Sequence, residues 1–250
     1  MKKKYNIFIQ VFARIWALWG LLSFVGTFLI IFLPSMLSHL MPYKKGQDYF
    51  IAVSRWWMRV WLALIACPLK VRGLENFKPN ENYIVTYNHN TFLDVPLSCP
   101  FMPSGNVTIA KKSFAKVPIF GWFYKRGSIL VDRNSDKSRR ESFEQMKQVL
   151  AAGLHMGIYP EGTRNRTNEP LKKFYDGAFK LAVDTQKEIL PCVMFNTSTA
   201  LPTHKTFWLL PTKLYMQFLP PIASKGKSSD ELKSEVFNCM YNEFVNNKPA

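Results

Sequence analysis

Apolar and polar positions divide the chain into two stretches of different character. Between residues 15 and 38 there is no charged side chain, and apolar residues fill nearly every position. At ~1.5 Å per residue, a helix over that run is long enough to cross a hydrocarbon core of ~30 Å. Gly20 and Pro34 interrupt it, so the run reads as a span, a kinked span or one arm of a hairpin. Residues 49–69 pattern differently. Arg55 and Arg59 lie four apart on one helical stripe, and Trp57, Val60, Trp61 and Leu64 occupy another. That is the pattern of an amphipathic helix lying in a membrane interface. A helical hairpin packed on the domain that follows is the alternative.

From about residue 67 short β-like runs alternate with helical ones. The pattern predicts strands over 70–74, 83–87, 106–110, 128–132, 157–159, 190–195 and 213–218. Ser135 caps a helix running to about 152, with Phe143, Met146 and Leu150 on its apolar face. A second helix covers 176–186. A third starts near 228, with Asp230 and Glu231 in its first turn and Leu232, Val236 and Met240 recurring every four residues. Strands alternating with helices predict an α/β fold, a mixed sheet flanked by helices. The expected division is 1–69 for membrane-associated helices and 70–250 for the α/β domain.

Charge sharpens this picture. The formal net charge of +16 calls for an anionic partner, either lipid headgroups or nucleic acid. Its distribution separates the two. The first 72 residues carry ten cations against Asp48 alone, in the most apolar part of the chain, together with five of the seven tryptophans. Indole rings favour the headgroup boundary, so the expected partner is an anionic membrane surface and not nucleic acid. Basic clusters flank the first segment on both sides, at Lys2–Lys4 and at Lys44 and Lys45. A single span would translocate one of them, against the positive-inside tendency. A hairpin that enters and leaves by one face keeps both on the cytoplasmic side, giving an expected location at the cytoplasmic face of the inner (plasma) membrane. The apolar run is too long for a signal peptide and no small-residue cleavage site follows it. Cys67, Cys99, Cys192 and Cys239 sit singly, and His39, His89, His155 and His204 fall in no ligand spacing, so no metal and no disulfide framework is expected.

Four short stretches at or beside predicted strands hold the candidate chemistry. His89 precedes Asp94 by five residues, too far around a helix to share a face. The pair works if His89 sits in a strand-end loop and Asp94 folds its carboxylate back from the next helix, leaving the second ring nitrogen free as a base. Next, a strand between Arg126 and Arg133 can present Arg133 to an anion at its carboxyl end. In the third, Gly162 permits close backbone approach, Thr163 offers a hydroxyl and Arg164 a guanidinium fork suited to phosphate, with Glu161 placed to orient it. The fourth, Ile189-Leu190-Pro191-Cys192-Val193, is an apolar strand with an early proline.

Taken together, these stretches resemble the ordered motifs of the phospholipid and glycerol acyltransferase family over roughly residues 70–222. His89 and Asp94 match N-H-x-x-x-x-D. Gly127, Ile129 and Arg133 match G-x-I-x-x-x-R. Glu161-Gly162-Thr163-Arg164 match F-P-E-G-T-R-S, with Tyr159 and Asn165 as mild departures. Leu190-Pro191-Cys192 matches the V-P-V-like strand loosely, and Asp176 replaces a lysine of the K-G-A-F stretch. The resemblance implies a glycerolipid acyltransferase-like fold with membrane-binding amino-terminal helices. It implies direct acyl transfer from a thioester, either acyl-CoA or acyl-carrier protein, to a lysophospholipid acceptor such as lysophosphatidic acid, with no cofactor beyond that co-substrate. His89 would be the base, Asp94 its partner, and Arg133, Arg164 and more weakly Lys111 the phosphate ligands. Other acceptors, glycerol-3-phosphate among them, and a non-enzymatic basic membrane-binding role are the alternatives.

Overall fold

The computed structural model describes residues 5–132, 134–167 and 169–247. It opens with a helical hairpin, α1 (Ile7–Met36) and α2 (Tyr43–Leu64), joined through a tight turn at Leu37–Leu40. Asn6 caps α1 by accepting from the backbone N–H of Ile9 at 2.9 Å, and Pro34 sits in its last turn, where little helix remains to disrupt. The domain follows as β1 (Leu69–Arg72), β2 (Ile84–Tyr87), α3 (Asp94–Ser98), β3 (Asn106–Lys111), α4 (Phe120–Arg126), β4 (Ser128–Val131) and α5 (Asp136–Ala151). It ends with β5 (His155–Ile158), α6 (Gly177–Thr185), β6 (Ile189–Phe195), α7 (Thr197–Ala200), β7 (Leu214–Phe218) and α8 (Ser229–Asn246). The predicted strands and the three predicted domain helices all appear, with ends displaced by one or two residues. Ser135 caps α5, and Ser228 with Glu231 forms a reciprocal capping box at α8.

The strands form one mixed sheet in the order β1-β7-β6-β2-β5-β3-β4. From β6 to β4 all neighbours run parallel, β7 is antiparallel to β6, and β1 is parallel to β7. The central strands β2, β5 and β6 are buried along their whole length, and β2 and β6 accordingly read as largely apolar runs without alternation. One sheet face packs on α5, α6 and α8 through Met146, Phe179, Leu232, Val236 and Met240. The other packs on the hairpin, where Phe28, Trp57, Met58, Trp61 and Ile65 share a core with Tyr83, Val85, Met194 and Met216.

This arrangement corrects the reading of residues 49–69 as an interfacial helix. Trp57 and Trp61 are 3% and 8% exposed and belong to the core. Their indole N–H groups bond across the hairpin, Trp57 to Thr27 Oγ1 at 2.9 Å and Trp61 to the Gly20 carbonyl at 3.0 Å. Arg55 donates to the carbonyls of Pro100 and Met102 and is tied to the domain, while Arg59 is exposed. An amphipathic stripe can be satisfied by a sheet as well as by lipid, and the sequence pattern is the same for both. The exposed apolar face lies on α1 instead: Phe8, Ile30 and Leu33 are 81%, 70% and 72% exposed.

Candidate active site

Because β2, β5, β3 and β4 run parallel, their carboxyl ends share one edge of the sheet. That edge gathers residues 88–94 after β2, residues 159–165 after β5, and Lys111 at the end of β3. Open parallel sheets bind ligands at such an edge. Asn88 fixes the exit from β2: its amide donates to the Met194 carbonyl at 2.9 Å and accepts from the Met194 N–H at 2.7 Å. The chain therefore leaves β2 clamped to β6, with His89 next.

Asp94 opens α3 and is fully buried. Its Oδ2 accepts from His89 Nδ1 at 2.9 Å and from the backbone N–H groups of Asn90 and Thr91 at 2.5 and 2.7 Å. Three contacts thus converge on one carboxylate oxygen. With two backbone N–H groups already donating to it, that oxygen acts as an acceptor, so the histidine nitrogen facing it is the donor. Nδ1 carries the proton and Nε2 is left as the basic nitrogen. The other carboxylate oxygen, Oδ1, is buried without a hydrogen-bond partner.

The 159–165 turn grips His89 from two sides. Glu161 Oε1 accepts the His89 N–H at 2.7 Å, and the Asn165 N–H donates to the His89 carbonyl at 2.6 Å. Glu161 Oε2 accepts the N–H of Lys172 at 3.0 Å. This corrects the expectation that Glu161 orients Arg164: the carboxylate is buried and both oxygens serve backbone donors. Burial pushes Glu161 up to about 7, opposed by those two N–H groups and the Lys172 charge. Tyr159 packs its ring 4.4 Å from the His89 ring and donates its hydroxyl to the Asp94 carbonyl at 3.0 Å.

Gly162 has φ +68°, and a Cβ there would lie 2.8 Å from the Tyr175 ring, so both conformation and space call for glycine. Thr163 Oγ1 accepts from Lys172 Nζ at 2.6 Å. The half-buried Arg164 guanidinium stacks on Phe92, 3.6 Å above the ring centroid, which holds the fork flat over the loop that carries His89. Lys111 is exposed, two strands from β2. Arg133 lies outside the described residues. The structure thus brings together His89, Asp94 and Glu161–Arg164. Sequence reasoning gave no role to Asn88, Phe92, Tyr159 or Lys172. The first three stood inside quoted motifs, and Lys172 is recruited from eleven residues beyond Glu161 with no local pattern to mark it.

Beside this cluster an apolar cavity of about 810 Å³ runs between the hairpin and the sheet. Phe24, Trp57 and Trp61 line it from the hairpin, Phe92, Leu93 and Cys99 from the active edge, and Leu201, Phe207 and Leu209 from the segment before β7. Arg164 and Lys205 are the charged residues in its wall. Cys99 borders the cavity, yet burial pushes its thiol up to about 11, and buried Cys192 is raised well above the ordinary thiol range. Both stay protonated near neutral pH, a poor state for a nucleophile.

The α/β sheet thus holds a half-buried histidine paired with a buried aspartate at a parallel-strand edge, beside a deep apolar cavity. The family model described as Acyltransferase matches residues 68–195, more than half of the chain, and the chain belongs to that family. Among curated relatives, a 1-acyl-sn-glycerol-3-phosphate acyltransferase of Saccharomyces cerevisiae is 30% identical over 72% of this chain and 59% of its own length. One from Borreliella burgdorferi is 34% identical over 56% of this chain and 55% of its own. The alpha form of Mus musculus is 29% identical over 66% and 58%. The chain thus spans a little over half the length of these relatives. The crystal structure of a 1-acyl-sn-glycerophosphate (LPA) acyltransferase from Thermotoga maritima superposes with a TM-score of 0.81, 23% identity, and coverage of 96% of this chain and 98% of that one.

Proposed function

We propose that the chain transfers a fatty acyl group from an acyl thioester to the sn-2 hydroxyl of lysophosphatidic acid, giving phosphatidic acid. The observation that carries this reading is the tautomer-fixed His89, with Nδ1 committed to Asp94 and Nε2 left basic beside a large apolar cavity. Nε2 takes the acceptor hydroxyl proton as the oxygen attacks the thioester carbonyl, and the tetrahedral intermediate collapses with loss of thiolate. The imidazolium, stabilised by Asp94, then returns its proton to the departing sulfur. The raised cysteine thiols support direct attack without an acyl-cysteine. Arg164 and Thr163, with Lys172 beside them, form the acceptor phosphate site, to which Lys111 at the end of β3 and Arg133 add further positive charge. The relatives named for the same reaction support this choice of acceptor. The donor is acyl-CoA or acyl-carrier protein, and the proposed reaction uses no resident cofactor or metal.

Membrane attachment is part of the same reading. The apolar helix over Ile7–Leu40 is long and apolar enough to cross a membrane. Along its length it is tied to α2, and α2 to the domain: Gln47 Nε2 donates to the Asn106 carbonyl at 2.6 Å, and Asp48 accepts from the Gly105 N–H at 2.6 Å. A helix fastened in this way enters one leaflet on its free face more readily than it crosses two, and that face would lie at the cytoplasmic side of the inner membrane. Purified protein offered lysophosphatidic acid with each donor in turn should produce phosphatidic acid from at least one. Turnover only with glycerol-3-phosphate or an unphosphorylated lysolipid would move the assignment to that acceptor, and no turnover with any would end it.

A further inference from the structure

We propose that residues 112–122 form a second membrane-contact surface beside α1, with Val117, Ile119 and Trp122 entering the headgroup layer of an anionic bilayer and Lys112 and Lys116 lying on its phosphates. The inference builds on the reading of α1 as a lipid-facing helix but concerns a different part of the chain. Between β3 and α4 the chain makes a tight turn at Lys112–Lys116, passes Val117-Pro118-Ile119 and enters α4. Phe114, Val117, Ile119 and Trp122 are 39%, 45%, 45% and 63% exposed within nine residues. In water such a cluster is unfavourable, and it marks a surface that something apolar covers.

Three observations choose the occupant. The patch adjoins α1: Trp122 stacks on the half-exposed Phe32 with centroids 6.2 Å apart. It is also cationic. From Asp94 to Asp132 there is no acidic residue, while Lys111, Lys112, Lys116, Lys125 and Arg126 all fall in that interval. Exposed apolar side chains interspersed along the chain with exposed lysines match headgroups above acyl chains, as polybasic membrane segments do. Finally, the turn is built to hold its shape. Gly121 donates to the Val117 carbonyl at 2.7 Å, and a Cβ at Gly121 would collide with the Ala115 carbonyl at 2.3 Å. Ile119 adopts φ +61°, a conformation that β-branched residues avoid, and presents its side chain to the outside. Phe114, Phe120 and Phe123 also line the large cavity. A bilayer in contact with α1 and this turn therefore meets the cavity wall directly, which offers an acyl chain a route in without passing through water.

The test uses the full chain and vesicles of phosphatidylglycerol and phosphatidylcholine. Bromine-labelled lipids should quench Trp122, isolated as the difference between wild type and Trp122→Phe. The triple variant V117S/I119G/W122S should lower the vesicle partition coefficient about tenfold or more. Lys112→Gln with Lys116→Gln should lower it about fivefold per lysine on anionic vesicles and little on neutral ones. Turnover of a dispersed short-chain acceptor by the triple variant should match wild type, because those three side chains lie outside the site and the cavity wall. Unquenched Trp122 together with unchanged partition would overturn the proposal. So would conversion of a dimer to a monomer by the triple variant, with partition unchanged, which would assign the patch to a second copy of the chain. If wild type turned over no acceptor, the proposed reaction would fall, while the quenching result would still decide the surface.

Discussion

At the scale of single residues, the proposed roles separate groups that would act on substrate from groups that hold them. His89→Ala removes the proposed base and leaves the backbone clamps from Glu161 and Asn165 in place, so the protein should fold normally. Its kcat should drop by ~10²–10⁴-fold; retention of more than about a tenth of wild-type turnover by the purified variant would refute the role. Asp94→Asn should cost rate through the wrong tautomer, and it also places an amide where three donors converge. Arg164 behaves differently. If it grips the acceptor phosphate, Arg164→Lys should weaken kcat/KM for lysophosphatidic acid by roughly 10–150-fold, a lost charge-assisted bond of ~1.5–3 kcal/mol. Phe92→Ala, which removes the surface the guanidinium stacks on, should reproduce part of that loss. Neither change should matter for an acceptor without phosphate. Equal losses on both acceptors would assign Arg164 to the scaffold or the donor.

At the scale of elements, the strands and long helices were legible because each carries its own signal: β2 and β6 as apolar runs, α5 and α8 by caps and period. The histidine–aspartate pair was legible from motif order, since a strand-end loop followed by a helix is a local event. The helix carrying Asp94 was expected from the pair alone, whereas the four-residue α7 is too short to carry a period and the seven-residue α4 was also missed. The role of Glu161 was misread because its partners are backbone N–H groups, one of them 72 residues away, which no side-chain pattern announces. The amphipathic stripe of α2 was misassigned to lipid for a similar reason. That correction changes an experiment. Removing residues 1–66 deletes Phe28, Trp57, Trp61 and Ile65 from a core shared with the sheet, so the truncated chain should aggregate and not emerge as a free soluble domain. Size-exclusion chromatography of the truncated protein checks this; a monodisperse monomer would mean the sheet can close its own face. Polar substitutions of Phe8, Ile30 and Leu33 on the exposed face of α1 should instead release a folded protein from membranes.

At the scale of the whole molecule, two buried titratable groups lie at opposite ends of β5 and pull stability in opposite directions as pH changes. His155 is the first residue of the strand. Its Nδ1 accepts from the Tyr83 N–H at 3.1 Å, its Nε2 bonds Ser104 Oγ at 2.8 Å, and burial with the Lys44 charge lowers it to about 4. Its folded pKa lies below the unfolded value near 6.5, so its contribution is present above about 6.5 and is lost as pH falls towards 4. Glu161, just past the other end, is raised to about 7 from 4.5. Its contribution is complete below about 4.5 and is lost as pH rises through 7. Each is worth about 3 kcal/mol at most. Between about 4.5 and 6.5 the two slopes oppose each other, and thermal stability of the wild type should be nearly flat there apart from surface groups. Glu161→Gln leaves the histidine slope alone, so its melting temperature should rise with pH across that interval; His155→Gln should give the reverse. The absolute level is a separate matter: Glu161→Gln also sets an amide donor against a backbone donor and should lose ~1–3 kcal/mol at every pH. The comparison that decides is the slope. If Glu161→Gln follows the wild-type profile in parallel from acid to neutral pH, Glu161 is not the group that titrates near 7, and its bonds to His89 and Lys172 must hold it ionised throughout.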